Sequence, residues 1–311
     1  MKKKITIAAS CLNESGLIRD FVNLVGNKIE DEFKEKYEYE ILLADNNSSD
    51  DTQQIIRDIC EKNKNVKAVF NQVDYGADRS VLNLLKYASG DAIIHVASDM
   101  QEDLEIIPRF IKKWESGEKY VVGQVISNQE NFILSAIKNI YYKIYNKFSN
   151  TKIIKNTAGF LIDNKYNEII KNISDPEPFA RIVFSQVLGV PATVPVDKTE
   201  RKKGKSKHNL FQYYSIAINS IAKSSSTPMK IITFVGFILS LFFFLISIYY
   251  FFMKLFYWDD FSLGLAPLII ILCLLSSFLL LSIGLIGEYI VAILAYNKNL
   301  PFIEKEKINF K

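Results

Sequence analysis

Cysteine, histidine and tryptophan are scarce in this sequence. The 311 residues include three cysteines and two histidines, and Cys11, Cys60 and Cys273 lie far apart with no CxxC spacing. A disulfide framework and a zinc cluster both need suitably spaced ligands, so this pattern supports neither. Isolated cysteines are typical of a reducing compartment, which predicts that the globular part of the chain faces the cytosol.

Two glycine-rich nucleotide motifs are also missing. No GxGxxG follows the first apolar run, Ile5 to Cys11, and no GxxxxGK[ST] occurs anywhere. Dinucleotide dehydrogenases and P-loop enzymes use those glycines to bring backbone N–H groups against phosphates, so both classes lose their main support. The apolar run is too short for an export signal, and we interpret it as a first β-strand.

Charge is missing from two long stretches, Ile231–Met253 and Phe261–Gly287. A helix needs about 20 apolar residues to cross a bilayer, and both stretches are long enough. Buried core helices are the weaker interpretation, because the apolar residues surround each helix instead of forming one face. Lysine and arginine flank the pair on both sides, so the positive-inside rule predicts a hairpin in the plasma (inner) membrane with both ends cytoplasmic.

Positive charge is concentrated immediately before the first apolar stretch. The segment 201–207, called here the basic block, contains Arg201, Lys202, Lys203, Lys205 and Lys207. Next to a bilayer, anionic headgroups or a phosphate are more natural partners than nucleic acid, so we expect no nucleic-acid partner.

The first half of the chain alternates short β-branched runs with stretches of helical periodicity. This spacing predicts an α/β domain with a mostly parallel sheet and helices on both faces. The expected strands are 5–10, 40–44, 66–71, 92–97 and 120–126. The expected helices lie near 16–29, 51–62, 77–88 and 103–116. Polar clusters follow four of the strands, beginning at Asn13, Asp45, Asn71 and Ser98. Ligands of such sheets bind beyond the carboxyl ends of the strands, so these clusters outline a site.

Two further stretches, Phe132–Phe148 and Asn209–Ile221, carry apolar residues at helical spacing, and the first has lysines between them. Such helices can pack on a core, but their nearness to the expected spans favours the membrane interface. The expected organisation begins with a cytoplasmic domain at 1–208, which includes the interfacial helix at about 132–148. A juxtamembrane helix at 209–228 follows it. Transmembrane helices at 229–253 and 263–296 then flank an extracytoplasmic loop at 254–262, and a cytoplasmic tail occupies 297–311.

Several motifs, in order, resemble those of family 2 inverting glycosyltransferases. Ser10 to Glu14 resembles the Pro-Val-Tyr-Asn-Glu segment, and Asp45 to Thr52 resembles the Asp-Asp-Gly-Ser-x-Asp-Gly-Thr loop. Asp74-Tyr75-Gly76 resembles Asn-Phe-Gly, Gly90-Asp91 opens the strand before the metal motif, and Ala97 to Glu102 is similar to Asp-Ala-Asp-Leu-Gln-Asp.

The C-terminal half resembles one branch of that family. The basic block is similar to the Arg-x-x-Gly-x-Ser-Lys element of the polyprenyl-phosphate glycosyltransferases, and Gly287-Glu288-Tyr289 also recurs there. This resemblance implies a GT-A-type domain that moves a sugar, with inversion, from a nucleotide diphosphate sugar (we expect a UDP sugar) to a polyprenyl phosphate such as undecaprenyl phosphate. It is compatible with a homo-oligomer.

The resemblance also assigns roles to residues of this sequence. Asp99 becomes the catalytic metal ligand for Mg²⁺ or Mn²⁺, with Gln101 as a helper through its carbonyl or a water. The residues expected to bind the nucleotide sugar are Ser10, Leu12, Asn13, Glu14, Asp45, Asp74, Gly76 and Ser98. The acceptor phosphate is assigned to Arg201, Lys202, Lys205 and Lys207. The sequence departs from the family pattern in Ala97, where the first motif aspartate is expected, in Asn46, and in Gln124, where an arginine is usual.

The chemistry of the expected reaction agrees with these roles. Cleavage of a sugar–diphosphate bond builds negative charge on the leaving group, which a metal held by one or two carboxylates and the phosphates stabilises. An acceptor phosphate is mostly ionised near neutral pH, so positioning and charge screening suffice and no strong base is required. Asp99 has the alternative of only capping a helix that begins near Leu104. The basic block has the alternative of only tethering the chain to anionic lipid. Asp163, Asp175 and Glu177 are unassigned carboxylates, one of which is a candidate for sugar contact.

Two other functions are compatible with parts of the pattern. A processive polysaccharide synthase shares the fold, but its usual Gln-x-x-Arg-Trp element is missing, since neither Trp114 nor Trp258 follows an arginine. A non-catalytic, membrane-tethered nucleotide-sugar binder is permitted by Ala97 and Gln124, and a turnover assay separates it from an enzyme.

Overall fold

The computed structural model describes residues 2–101, 103–126, 132–149, 151–173, 180–197, 227–256 and 302–310, with scattered helical positions between 268 and 293. The chain divides into two compact units. The first comprises Met1–Asn146, Thr151–Asn209 and Lys298–Lys311, and the second comprises Lys147–Asn150 and Leu210–Asn297. The first unit contains the sheet and the expected donor site.

Eight strands of the described chain form one sheet in the order β7-β5-β6-β4-β1-β2-β3-β8. The strands are β1 Lys3–Cys11, β2 Tyr37–Asp45, β3 Val66–Asn71, β4 Ala92–His95, β5 Tyr120–Val125, β6 Thr157–Asp163, β7 Ala192–Val196 and β8 Glu304–Ile308. The helices are α1 Ile18–Phe33, α2 Thr52–Lys62, α3 Ala77–Leu85, α4 Ile106–Glu115, α5 Phe132–Phe148, α6 Asn164–Ile170, α7 Ala180–Leu188 and α8 Thr227–Phe256.

The centre of the sheet is parallel. β1 pairs in parallel with β2 and β4, and β2 pairs in parallel with β3. β6 runs antiparallel to both of its neighbours, and β8 runs antiparallel to β3 at the far edge. The predicted α/β fold with a mostly parallel sheet is therefore confirmed for the first unit.

Helices cover both faces of the sheet because successive strand side chains point to opposite faces. Ile7 of β1 packs in the cluster that contains α1, α2 and α4, with Phe21 among its fully buried members. The next residue, Ala8, packs in the opposite cluster with α3, α6 and α7, where Phe184 is almost completely buried. Both faces of the central strands are thus removed from water.

The sequence pattern missed three strands and two helices, namely β6, β7, β8, α6 and α7. Of the apolar residues at helical spacing in α5, Tyr145 is buried, whereas Ile140 and Ile144 are exposed. The expected position of this helix at the membrane interface stays a prediction.

A buried carboxylate is fully engaged near the amino ends of the central strands. Glu40 of β2 accepts from Lys4 Nζ at 2.6 Å and from Thr6 Oγ1 at 2.6 Å, and Lys67 Nζ lies 2.8 Å away. Ser89 donates to the same carboxylate through its backbone N–H, at 2.9 Å. Burial alone would raise the pKa of Glu40, but these donors hold it at about 2. We call this group the Glu40 cluster.

The second unit contains α8, a helix of 30 residues, and helical positions from the second apolar stretch. A Cβ built on Gly236 would lie 3.5 Å from the ring of Phe278, an ordinary van der Waals distance, so the two helical segments are in contact there. The second expected transmembrane helix, 263–296, is described only at scattered positions. Taken over the described residues alone, no helix is both long and apolar enough to cross a membrane.

Candidate active site

Four loops meet at one edge of the sheet. Cys11 at the end of β1 pairs with Asp45 at the end of β2, and Asp45 pairs with Phe70 near the end of β3. His95, which ends β4, pairs with Ala8 of β1. Because these four strands are parallel, their carboxyl ends lie at the same edge. The polar clusters that the sequence places after each strand are therefore neighbours.

The loops after β1 and β2 are joined side by side. The backbone N–H of Asn13 donates to Ser48 Oγ at 2.9 Å, and the Asn13 side chain accepts from the backbone N–H of Ser49 at 2.8 Å. Glu14 N–H donates to Thr52 Oγ1 at 2.9 Å. Asn13 and Asn47 both adopt positive φ, a conformation that asparagine tolerates well. These hydrogen bonds join the two loops, and we call the four loops that follow β1, β2, β3 and β4 the rim.

Asp45 is completely buried in this rim. Its Oδ2 accepts from the backbone N–H of Ser48 at 3.1 Å, while its Oδ1 has no hydrogen-bond partner among the described residues. A buried carboxylate oxygen without a donor is costly to the folded state. The described residues therefore leave one acceptor of Asp45 without a donor, at the residue where the sequence predicts a contact with a base or ribose.

Asn46 connects the loop after β2 to the loop after β3. Its side-chain Oδ1 accepts from Asn71 Nδ2 and from the backbone N–H of Tyr75, each at 3.1 Å, and its Nδ2 donates to Asp74 Oδ1. Asp74 Oδ1 also accepts from the backbone N–H of Gly76 at 2.8 Å. Gly76 has a φ of +78°, and a Cβ added there would meet nothing within 4 Å, so the backbone conformation alone requires glycine.

The loop after β4 carries the expected metal ligand. Ser98 is buried and donates through Oγ to the carbonyl of Ser10 at 3.0 Å, which joins this loop to the end of β1. Asp99 Oδ1 accepts from the backbone N–H of Gln101 at 3.2 Å. Helix α4 begins at Ile106, and its N-cap residue, Glu105, makes no side-chain cap. The metal-binding role of Asp99 stays a prediction.

Few side chains at this edge of the sheet are candidates for binding a metal ion. No group of three or more histidine, cysteine, aspartate or glutamate side chains suitable for a metal ion occurs among the described residues. Mg²⁺ commonly keeps several waters and uses one or two carboxylates together with substrate phosphates. Asp99 with Gln101 beside it fits that mode, in which the phosphates of the donor complete the coordination shell.

Two ionisable groups close to the site are unsuited to acid–base chemistry. Burial, followed by the charges of Asp45, Glu14 and Asp50, raises the pKa of the Cys11 thiol well above its usual value. Burial lowers the pKa of His95 to about 4, and its ring stacks on Phe160 with centroids 5.0 Å apart. Both groups are neutral at physiological pH and serve packing.

Some residues considered from the sequence lie elsewhere. Asp163 pairs with Ala92 at the amino end of β4, on the opposite edge from the rim. Its carboxylate accepts from Trp114 Nε1 at 2.8 Å and Lys119 Nζ at 2.9 Å, so it is a structural group and not a sugar contact. Gln124 is exposed on β5. Arg201, Lys202, Lys205, Lys207, Glu102, Asp175 and Glu177 lie outside the described residues.

One contribution to the site is not visible in the sequence pattern. Residues 302–305, which lead into and begin β8, reach two of the loops. Lys305 Nζ donates to Asn47 Oδ1, and both backbone groups of Ile303 bond to the hydroxyl of Tyr75. The Glu-Lys-Glu-Lys pattern of β8 has no apolar alternation, so hydrophobic periodicity does not reveal the strand.

Comparison with known proteins identifies the family to which this chain belongs. The family model of glycosyl transferase family 2 matches residues 6–165, which is more than half of the chain and includes all four loops. The chain belongs to glycosyl transferase family 2. The expected family and the expected enzyme class, a glycosyltransferase, are both confirmed.

Several family 2 relatives are similar along nearly their whole length. A bactoprenol glucosyl transferase of Shigella phage SfV is 28% identical over 98% of this chain and 99% of its own. A prophage bactoprenol glucosyl transferase homolog of Escherichia coli K12 is 27% identical over 92% of this chain and 93% of its own. The uncharacterized glycosyltransferase YkoT of Bacillus subtilis is 29% identical over 96% of this chain and 89% of its own.

Among solved structures, the mannosyltransferase PcManGT from Pyrobaculum calidifontis in complex with GDP-Man and Mn²⁺ is 15% identical, with a TM-score of 0.48. The match covers 97% of this chain and 89% of that one. Staphylococcus aureus TarS 1–349 in complex with UDP-GlcNAc is 17% identical, with a TM-score of 0.47 over 71% of this chain and 66% of its own.

Proposed function

We propose that this family 2 enzyme transfers a sugar from a nucleotide diphosphate sugar to a polyprenyl phosphate at the cytoplasmic face of the plasma membrane. The observation that carries the proposal is the convergence of four polar loops around Asp45, in a chain similar along nearly its full length to bactoprenol glucosyl transferases. A UDP sugar remains the expected donor, and inversion the expected stereochemical outcome.

The donor binds at the rim in this proposal. The unsatisfied Oδ1 of Asp45 accepts from the base or ribose, and the interlocked backbone of Asn13 and Glu14 lines the same site. Ser10, Leu12, Asp74, Gly76 and Ser98 complete the proposed contacts. The rim is held by its own hydrogen bonds, so a bound nucleotide needs little further ordering of the loops.

Asp99 would hold Mg²⁺ or Mn²⁺, with Gln101 contributing its carbonyl or a water. A divalent ion bound there would supply stabilisation of the negative charge that develops on the leaving diphosphate. One carboxylate suffices because the phosphates supply the other strong ligands. Ala97 in place of a second aspartate makes this metal site weaker when no nucleotide is bound.

The acceptor phosphate meets the basic block. Arg201, Lys202, Lys205 and Lys207 screen its charge and orient its oxygen toward the sugar carbon, and the phosphate needs no deprotonation because it is largely ionised near neutral pH. Each charge-assisted contact is worth roughly 1.5–3 kcal/mol. Variants of the basic block distinguish this role from that of a purely electrostatic tether.

The second unit anchors the enzyme in the bilayer. The described side chains of α8 include large apolar groups turned to the outside, such as Phe234 at 65% and Phe256 at 72% exposure. Monomeric soluble proteins rarely expose so much contiguous apolar surface. The contact between Gly236 and the ring of Phe278 joins α8 to a helical segment of the second apolar stretch, which supports the proposed hairpin of helices 229–253 and 263–296 with the loop 254–262 outside.

An even number of spans agrees with the chain connectivity. β8, which follows the apolar region, pairs with β3, so residues before and after that region belong to the same compact unit. Two spans return the chain to the side on which it entered, as a hairpin requires. The exposed pair Ile140 and Ile144 of α5 supports contact of the domain with the interface. The domain limits expected from the sequence, and a homo-oligomer, remain part of the proposal.

The proposal is tested with radiolabelled nucleotide sugars and the full chain in membranes. We expect label to enter the lipid fraction only when undecaprenyl phosphate is added, and not with undecaprenol, which lacks the phosphate. Arg201→Ala and Lys207→Ala should each reduce this transfer about tenfold or more while nucleotide affinity is retained. Transfer to a soluble sugar in preference to the lipid contradicts the proposal, and normal transfer by both variants reduces the basic block to a tether.

A further inference from the structure

One tyrosine of the donor-site rim is bound by a segment from the other end of the chain. The hydroxyl of Tyr75 accepts from the backbone N–H of Ile303 at 2.7 Å and donates to the Ile303 carbonyl at 3.2 Å. The same carbonyl accepts from the backbone N–H of Gln72 at 2.8 Å. The loop after β3 is thus hydrogen-bonded at two points to the residue that precedes β8.

Ring contacts reinforce this attachment. The rings of Tyr75 and Phe302 meet edge to face with centroids 5.2 Å apart. The guanidinium of Arg79 lies 5.0 Å from the Tyr75 ring and 4.9 Å from the Phe302 ring, and Lys86 Nζ lies 4.4 Å from the latter. Such cation–π and aromatic contacts each add stabilisation beyond that of the buried area.

A second loop of the rim is reached by the same segment. Lys305 Nζ donates to Asn47 Oδ1, just beyond the end of β2 and one residue from Asn46. Glu304, between the two contacts, accepts from Asn83 Nδ2 at 3.0 Å and from the Tyr87 hydroxyl at 2.8 Å. These bonds to α3 and to the turn that follows it fix the register of the segment along the rim.

The attachment is continuous with the buried acceptor. The backbone N–H of Tyr75 donates to Asn46 Oδ1, and the Asn46 amide donates to Asp74. Asn46 directly follows Asp45, whose Oδ1 has no partner among the described residues. A displacement of Tyr75 would therefore move the residues that flank this oxygen.

We propose that residues 302–305 are a positioning element of the donor site. They hold the loops after β2 and β3 in the geometry that binds the nucleotide, through Ile303 on Tyr75 and Lys305 on Asn47. The inference rests on the proposed use of this rim by a nucleotide sugar. Tyr75 and Lys305 act through the loops and contact neither the sugar nor the reacting atoms.

The other half of the strand supplies matched controls. Glu306 pairs with Arg57 at 2.9 Å, and Asn309 Nδ2 donates to the carbonyls of Cys60 and Val66 at 2.8 and 2.7 Å. These contacts also attach β8 to the domain, but none of them touches a loop of the rim. Variants there loosen the strand without removing the attachment to Tyr75 or Asn47.

The experiment compares Tyr75→Phe and Lys305→Met with Glu306→Gln and Asn309→Ala in the full chain in nanodiscs. UDP affinity is measured by calorimetry with Mg²⁺ present, and donor KM, acceptor KM and melting temperature are measured in parallel. We expect Tyr75→Phe to weaken UDP binding and raise donor KM about tenfold, and Lys305→Met about threefold, with acceptor KM unchanged. The two control variants should lower the melting temperature as much as Tyr75→Phe and Lys305→Met do, while their UDP affinity stays at the wild-type value.

Either of two results overturns the positioning role. Unchanged UDP affinity in both Tyr75→Phe and Lys305→Met shows that the segment is only structural. Equal loss of affinity in the controls shows that any loosening of β8 has the same effect, and that residues 302–305 are not special. Failure of the proposed function is recognised separately, because wild-type protein would then bind UDP yet leave undecaprenyl phosphate unglycosylated. A wild-type protein that binds no nucleoside diphosphate overturns both.

Discussion

Strand β2 has a buried carboxylate near each end, and the two carboxylates differ in how many hydrogen-bond donors surround them. Glu40, near the amino end, has two lysines, a threonine and a serine around it. Asp45, at the carboxyl end, is equally buried but has one oxygen with no partner among the described residues. From this difference we propose that Glu40 is a structural group and that Asp45 is a binding group.

The comparison extends to another acid at the amino edge of the sheet. Asp163 accepts from Trp114 Nε1 and from Lys119 Nζ. The acceptor oxygens of an acid that stabilises the fold already have hydrogen-bond donors within the protein. A group that binds a ligand, as we propose for Asp45, retains acceptor capacity, which costs stability until the ligand arrives.

The largest expected effect comes from the metal ligand. Asp99→Ala should reduce sugar transfer on the order of 10³-fold, because the ion supplies several kcal/mol of charge stabilisation in the transition state. Excess chelator should do the same to the wild-type enzyme, with activity restored by Mg²⁺ or Mn²⁺. Asp103→Ala is the matched control, since Asp103 Oδ1 accepts from Glu105 N–H in the adjacent turn. Full transfer in chelator would remove the metal from the mechanism.

The Glu40 cluster should affect the free energy of unfolding and leave sugar transfer by the folded protein unchanged. Glu40→Gln leaves Lys4 and Lys67 without their carboxylate and should lower the free energy of unfolding by about 3–5 kcal/mol. The donor KM of the folded fraction should remain close to that of the wild type. Urea unfolding in detergent and donor kinetics at low temperature check both halves. If Glu40→Gln raised the donor KM and left the free energy of unfolding unchanged, Glu40 would be a binding residue and not a structural one.

The same cluster predicts an acid limit. The pKa of Glu40 is lowered from 4.5 to about 2 in the folded protein, so its contribution is complete above pH 4.5 and is lost as pH falls toward 2. The linked loss is about 3 kcal/mol. Unfolding measured between pH 5 and pH 2 should show this slope in the wild type and not in Glu40→Gln. Parallel slopes in the two proteins would assign the acid sensitivity to other carboxylates.

The smallest effect, and the sharpest test of the comparison, concerns Asp45. Asp45→Asn keeps the shape and an acceptor oxygen but removes the charge, so nucleotide affinity should fall roughly tenfold to a hundredfold. Stability should stay equal or rise, because the oxygen without a partner no longer carries buried charge. Calorimetry with UDP and thermal unfolding measure the two quantities. Lost stability with retained affinity would make Asp45 a second structural acid.

Sequence reasoning was sufficient for the local part of this picture. Apolar runs and helical periodicity located β1 to β5 and α1 to α5, and parallel strands necessarily place their following loops at one edge. The direction of β6 could not be known, because the pattern of Thr157–Asp163 is compatible with either orientation. An antiparallel β6 moves Asp163 to the opposite edge, which is why the sequence alone leaves that acid as a candidate for sugar contact.

The remaining features depend on contacts between distant parts of the chain. The bond between Tyr75 and Ile303 requires β8 to pair with β3, and a strand of alternating glutamate and lysine carries no local signal for that partner. The missing partner of Asp45 Oδ1 is likewise a property of its surroundings. Sequence motifs identified which loops form the rim, and the structure shows how they are held.

The pairing of β8 with β3 also sets an order of assembly. β8 is synthesised after every other described element, including the apolar region that precedes it. Strand pairs so far apart in the chain form late in folding, since closing the intervening loop is entropically costly. In the membrane anchorage that we propose, the apolar region would insert before residues 302–305 complete the rim. Nucleotide sugar would then be bound in its final geometry only by inserted chains.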